Sequence, residues 1–68
     1  MKKFEVGKTY HAEQRTENDY ETIKVTIAKR TAKTITTTGE DRIQIYEADD
    51  REETKASWIF MISTNEVN

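Results

Sequence analysis

The sequence contains no cysteine, no proline and no leucine, and it has only two glycines and one histidine. Without cysteine no disulfide can strengthen a chain of 68 residues. A tetrahedral zinc site needs several Cys or His ligands, so we expect no structural metal and no cofactor. The hydrophobic core then has to stabilise a domain that is near the lower size limit for folding alone. We treat residues 1–68 as one domain.

The apolar residues that are present favour β-structure. They are mostly Ile and Val with some aromatics, and Thr is abundant. Only 34% of the residues are hydrophobic and 35% are charged, a composition that leans toward disorder. The apolar residues nevertheless fall in periodic clusters. Ile23, Val25 and Ile27 alternate with Lys24 and Thr26, which is the clearest strand pattern in the chain.

Turn signals divide the chain into five short strands, which we predict at residues 9–13, 20–29, 34–38, 42–47 and 56–63. Short strands at this spacing are typical of an all-β domain that forms an SH3-like small barrel or a strongly bent antiparallel sheet. The five-stranded barrel that binds oligonucleotides or oligosaccharides is the neighbouring alternative. The predicted core is Val6, Tyr10, Ile23, Val25, Ile27, Ile35, Ile43, Ile45, Trp58, Phe60 and Ile62.

The pattern is less decisive after residue 47. Residues 48–55 are strongly acidic and are predicted to form a loop. Residues 56–63 are apolar at odd and even positions alike, so alternation does not identify the inward side. A helix over residues 52–62 is the alternative to a strand, because short apolar runs fit both. Residues 64–68 are predicted to be a frayed tail.

No arrangement of residues indicates catalysis. His11 has no Ser/Asp set around it in the sequence, and there is no phosphate-binding glycine loop. Glu40 and Asp41, like Asp49 and Asp50, fall in predicted turns, whereas catalytic carboxyl pairs lie in apolar clefts. We therefore expect a protein that is not an enzyme.

A basic run without acidic residues lies between residues 23 and 35 and consists of Lys24, Lys29, Arg30 and Lys33. On a small barrel such a run predicts contacts with nucleic-acid phosphates, with a salt-dependent affinity. Exposed tyrosines nearby would stack on bases. The competing interpretation is a solvated basic turn that prevents strands from pairing edge to edge. The net charge of −2 is weak support for nucleic-acid binding.

The uneven charge supports a second hypothesis, a protein-interaction module. Residues 1–33 contain eight Lys or Arg and five Asp or Glu, whereas residues 34–68 contain three Lys or Arg and eight Asp or Glu. An acidic loop would dock a basic partner protein, and one side of the last strand would form a partner or dimer contact. The alternatives are a solvated charged loop and a last strand that is wholly buried. The predicted contact residues are Asp49, Asp50, Glu52 and Glu53 in the loop, with Ile59 and Met61 on the strand.

Three segments of the chain resemble a group of short proteins from Gram-positive bacteria and their phages and conjugative elements. They are residues 4–10, which contain VGKTY, residues 25–36, which contain KRTAKTIT, and residues 42–46. The resemblance implies a small all-β accessory protein of mobile-element origin. It implies no catalytic residue and no cofactor, and residues 49–53 do not match it. The partner we expect is a nucleic acid or a host or element-encoded protein. We expect neither a signal peptide nor a membrane span, and therefore a cytoplasmic protein. We expect it to be a monomer or a homodimer.

Overall fold

The computed structural model describes residues 1–67, which form six β-strands closed into a barrel. Each strand pairs antiparallel with its neighbours along the chain, and the last strand returns to pair with the first. The predicted all-β class and small SH3-like barrel are confirmed, with six strands rather than five. The strands are β1 (Thr9–Arg15), β2 (Tyr20–Arg30), β3 (Thr34–Thr37), β4 (Arg42–Ala48), β5 (Arg51–Thr54) and β6 (Ile59–Glu66).

Strands β1 to β4 lie where the sequence predicts them, within two residues at each end. In β2 and β4 apolar side chains recur at every second position and face inward, as a strand with one buried side requires, and in β3 the buried positions are Ile35 and Thr37. Ile23 and Ile62 are only partly buried. The buried core is Phe4, Tyr10, Ala12, Val25, Ile27, Ile35, Ile43, Ile45, Ile59 and Met61.

Strand β2 is bent near its end by a β-bulge. Its first part pairs with β1 and its last part with β3, and the register shifts between Ile27 and Lys29. The extra residue changes which side chains face outward. Lys29 therefore lies on the outside of the barrel, whereas Arg30 faces inward, opposite the fully buried Ile35.

The acidic segment after β4 is a hairpin and not the predicted loop. Asp49 and Asp50 form its turn, and β5 follows directly. The inward side chains of β5, Glu52 and Thr54, are polar but buried. Thr54 Oγ1 accepts a hydrogen bond from the Met61 N–H at 2.9 Å. Alternation of apolar and polar residues cannot identify a strand whose inward positions are polar, and β5 was missed for this reason.

Strand β6 faces the opposite way from the prediction. Its pairing with β1 places Met61 opposite Ala12, whose side chain is in the core, so Met61 also faces inward. Met61 is 0% exposed and Phe60 is 50% exposed. The prediction that Trp58 and Phe60 fill the core is wrong. The prediction of an exposed strip at Ile59 and Met61 is wrong for the same reason.

The remaining predictions for the end of the chain have different outcomes. A helix over residues 52–62 is wrong, since β5 and the start of β6 occupy this segment. Most of the tail predicted at residues 64–68 belongs to a strand, because β6 continues to Glu66. Asn68 lies outside the described residues.

The N-terminal segment, residues 2–4, packs across one end of the barrel. The Phe4 ring is buried and meets the Tyr10 ring edge to face, with 5.0 Å between the centroids. The Lys2 N–H donates to the Asp50 carbonyl at 2.7 Å, and the Lys2 carbonyl accepts from the Glu52 N–H at 3.0 Å. This segment thus pairs with the turn and first residues of the β5 hairpin.

A turn at Gly7 separates this segment from β1. Gly7 has a φ of 86°, a left-handed conformation that glycine adopts without strain. Val6 lies in the same turn and is 56% exposed, so its assignment to the core is wrong. The alternation that places Tyr10 inward does not continue backward through a turn.

Replacing Met61 by alanine is expected to lower the free energy of unfolding by about 2 to 4 kcal/mol, because it leaves a cavity in the core. Phe60→Ala removes a larger but half-exposed side chain and is expected to cost less than about 1 kcal/mol. Urea unfolding followed by circular dichroism measures both values. Equal losses would contradict the inward orientation of Met61.

Candidate functional site

Arg30, one of the four cations predicted to contact nucleic acid, forms an ion pair inside the barrel. Its Nη1 and Nη2 donate to Glu52 Oε1 and Oε2 at 2.8 and 3.1 Å. Nη1 also donates to the Phe4 carbonyl. The side chains of Arg30 and Glu52 are only 21% and 4% exposed. Because the bulge in β2 turns Arg30 inward, the structure removes it from the set of free surface cations.

Glu52 joins the N-terminal segment to the strands around it. Its Oε1 accepts from the Phe4 N–H at 2.9 Å, and its own N–H donates to Ser63 Oγ at 3.0 Å. Burial by itself would raise the pKa of Glu52. Hydrogen bonds from Arg30 and the Phe4 N–H, together with the charge of Arg30, outweigh burial and hold the pKa below its ordinary value.

The other predicted cations are exposed but do not form one cluster. Lys24 lies opposite His11 on β1, and Lys29 lies opposite Thr36 on β3. Lys33 lies in the turn between β2 and β3. A run of cations in the sequence is therefore spread over two parts of the barrel surface and one turn.

The register of β3 and β4 adds a cation that the sequence analysis missed. Arg42 lies opposite Thr36, so Lys29 and Arg42 flank Thr36 in a row across β2, β3 and β4. Neighbouring strands are about 4.8 Å apart, which puts the Cα atoms of the two cations roughly 10 Å apart. Neither forms an ion pair with another of residues 1–67. We call Lys29, Thr36 and Arg42 the basic face.

Carboxylates are missing from the outward positions around this row. Along the strands that carry the basic face, the side chains at outward positions are cationic, aromatic, apolar or neutral and polar, whereas the exposed Glu21 and Glu47 have the inward parity and lie near the far ends of β2 and β4. The nearest acidic residues along the chain, Glu40 and Asp41, lie in the turn between β3 and β4. The outward positions up to the middle of β4 are Tyr20, Thr22, Lys24, Thr26, Ala28, Lys29, Thr34, Thr36, Arg42 and Gln44.

The acidic surface predicted to dock a basic protein is only partly available. Glu52 faces inward, and Glu53 is 9% exposed and accepts a hydrogen bond from Tyr46 Oη at 3.1 Å. Only Asp49 and Asp50, in the turn of the hairpin, are exposed. Two of the four carboxylates predicted to dock a partner are therefore used within the barrel.

Three aromatic side chains are exposed on the sheet formed by β2, β1 and β6. Tyr20 is 64%, Phe60 50% and Trp58 38% exposed. Tyr20 lies opposite Arg15, whose N–H donates to the Trp58 carbonyl at 2.8 Å. Phe60 lies opposite Glu13. We call Tyr20, Trp58, Phe60, Arg15 and Glu13 the aromatic face. This face cannot be found from the sequence pattern, because the pattern assigns Trp58 and Phe60 to the core.

The two larger clefts have no single charge. A cleft of about 580 Å³ is lined by Lys33 and Lys55 but also by Glu47 and Glu52. A second cleft, of about 680 Å³, lies beside the N-terminal segment. Within residues 1–67 no group of three His, Cys, Asp or Glu residues is placed to hold a metal ion. The same residues include no helix with the length and apolar content needed to cross a bilayer.

Comparisons of the chain with protein-family models, with curated proteins and with solved structures find no match. The resemblance to short proteins of Gram-positive bacteria and their mobile elements stays a prediction. The geometry and charge of the two faces are what bear on function.

Arg30→Met is expected to lower the free energy of unfolding by about 2 to 4 kcal/mol, because it leaves the Glu52 carboxylate buried without its partner. The cost stays below that of a fully buried pair because Arg30 is 21% exposed. The adjacent but outward Lys29→Met is the matched control, with an expected change within about 0.5 kcal/mol. Similar values for the two variants in chemical unfolding would show that the pair does not stabilise the barrel.

Acid is expected to remove the contribution of Glu52 to stability. Because the folded pKa of Glu52 lies below the ordinary value of 4.5, the unfolded chain takes up this proton first as the pH falls. The contribution is complete above about pH 4.5 and is lost as the pH falls through the folded pKa. A ¹³C NMR titration of the Glu52 carboxyl carbon measures the pKa directly, and a midpoint above 4.5 would contradict the expectation.

Proposed function

We propose that the protein is a non-enzymatic β-barrel module that binds nucleic acid through the basic face. The row formed by Lys29, Thr36 and Arg42 carries the proposal, since no carboxylate shares the outward positions of these strands. Each cation that meets a phosphate releases counterions and so favours binding. The Thr36 hydroxyl can donate to a phosphate oxygen between them.

The local charge of the face supports the proposal better than the net charge does. The whole chain has a net charge of −2, but many of its carboxylates lie in turns at the barrel ends or within the barrel. At physiological ionic strength charges are screened over about 8 Å. A phosphate at the basic face therefore responds mainly to Lys29 and Arg42, and the carboxylate nearest along the chain is that of Asp41, next to Arg42.

The contacts expected at the basic face are with the nucleic-acid backbone. Phosphate contacts position a nucleic acid but do not read its sequence. With so few cations we expect sequence-independent binding with a Kd of about 10⁻⁴ to 10⁻⁶ M at physiological salt. A cytoplasmic location and a mobile-element origin, which the sequence predicts, would bring the protein into contact with nucleic acids.

Charge reversal at the basic face is expected to weaken binding. Fluorescence anisotropy with labelled single-stranded and double-stranded DNA and RNA, at low and rising salt, gives the affinity and its salt dependence. The variant Lys29→Glu/Arg42→Glu is expected to bind at least about tenfold more weakly, and the slope of log K against log salt is expected to fall by about 0.7 to 0.9 for each lost contact.

Lys2→Glu is the matched control for this variant, because Lys2 is exposed and pairs with Asp50, beyond the end of β4 opposite to Arg42. Its affinity is expected to stay within about twofold of the parent chain, as for a charge outside the screening distance. The proposal fails if the parent chain does not bind at low salt, or if the Lys29/Arg42 variant binds as the parent does.

A further inference from the structure

The aromatic face leaves large apolar surface in water in a chain that has little apolar surface to spare. Only 34% of the residues are hydrophobic, yet Tyr20, Trp58 and Phe60 are each at least 38% exposed. Full burial of one such side chain is worth about 1.5–3 kcal/mol of stability. Clustered exposed apolar side chains usually mark a binding surface.

The strand register arranges these rings on one surface. Tyr20 and Trp58 lie on the two sides of Arg15, Tyr20 paired with it on β2 and Trp58 in the bend directly before β6. Phe60 lies opposite Glu13 in the next outward row. Residues two apart in an extended chain are about 7 Å apart, so the rings of Trp58 and Phe60 follow each other where β6 begins. Such a platform can take successive bases of an extended strand.

Polar groups lie beside one of these rings. A depression of about 120 Å³ next to Phe60 is lined by His11, Glu13, Thr22 and Asn65, among others. A base that stacks on Phe60 would find hydrogen-bond donors and acceptors at its edge there. Only unpaired bases present both a free face and a free edge to a protein surface.

Two cations lie near the rings. Arg15 lies between Tyr20 and Trp58, and Lys24 lies further along β2, while the nearby carboxylates are Glu13 opposite Phe60 and the exposed Asp19 and Glu21 on either side of Tyr20. A guanidinium such as that of Arg15 can stack on bases as well as contact phosphates. The outward side of β2 then leads through Lys24 to Lys29 without a carboxylate.

We infer that the aromatic face stacks unpaired bases and that the nucleic acid bound is therefore single-stranded. Bases lie on Trp58, Phe60 and Tyr20, and the phosphates follow β2 toward Lys29 and Arg42. This inference rests on the proposed function and names its ligand. A duplex keeps its base faces inside the helical stack and cannot use the platform.

Trp58 is the only tryptophan of the chain and gives a direct signal for stacking. Its emission is followed while the protein is titrated with oligothymidine, with oligouridine, and with a mixed-sequence DNA duplex of equal phosphate concentration. Quenching that saturates together with anisotropy is expected for both single strands and not for the duplex. Phe60→Ala is expected to weaken single-strand binding about tenfold, whereas Tyr46→Ala, an exposed tyrosine on β4, stays within about twofold.

Glu13→Gln separates nucleic acid from a protein partner at the same face. Removal of the Glu13 charge is expected to tighten single-strand binding several-fold, since this carboxylate no longer repels the phosphates. If the face instead bound a second copy of the chain across a two-fold axis, Glu13 of each copy would pair with Arg15 of the other copy. The Glu13→Gln variant would then weaken this self-association. Sedimentation measured without nucleic acid reports such self-association.

The outcomes distinguish this inference from the proposed function. Salt-dependent binding of the duplex as tight as that of single strands, without a change in Trp58 emission, overturns the inference and leaves the proposed function in place. No binding of any nucleic acid overturns both. Self-association that blue-shifts Trp58 emission and is lost in Phe60→Ala assigns the face to contacts between copies and overturns the inference.

Discussion

The barrel depends on the ion pair between Arg30 and Glu52. Strand β5 brings no apolar side chain to the core, and its inward carboxylate is buried. A buried carboxylate without a partner is strongly destabilising, so β5 can close the barrel only because β2 supplies a guanidinium at the matching place. The same carboxylate holds the Phe4 N–H and thereby the N-terminal segment. One interaction thus joins β2, β5 and the chain start.

Sequence pattern predicts most of this fold because most of its strands have one apolar and one polar side. In β2 and β4, alternation around Val25 and Ile43 identifies strand, register and core together. Strand β5 escapes prediction because the groups that satisfy its inward positions come from distant parts of the chain. The Glu52 carboxylate bonds to Arg30 and to the Phe4 N–H, which are 22 and 48 residues away in the chain. No local pattern encodes such partners.

The binding faces are less predictable than the fold, because each depends on register. Arg42 joins Lys29 only through the pairing of β3 with β4. A single bulge residue reverses the alternation of β2, so that Lys29 faces outward and Arg30 faces inward. Residues 56–63 include apolar side chains at both odd and even positions, so only their pairing with β1 shows that Phe60 faces the outside of the barrel. Sequence identifies the cations and rings that are present, and the sheet decides which of them act together.

The docking of residues 2–4 also orders events during synthesis. The residues that hold them, Asp50, Glu52 and Ser63, follow their partners in this segment by 48 to 61 positions in the chain and are therefore made later. Until the hairpin of β5 and β6 emerges, Phe4 has no site in which to pack, and the growing chain exposes it. Contacts of such long sequence separation slow folding. The barrel therefore closes after translation of this segment is complete, when both ends of the sheet meet.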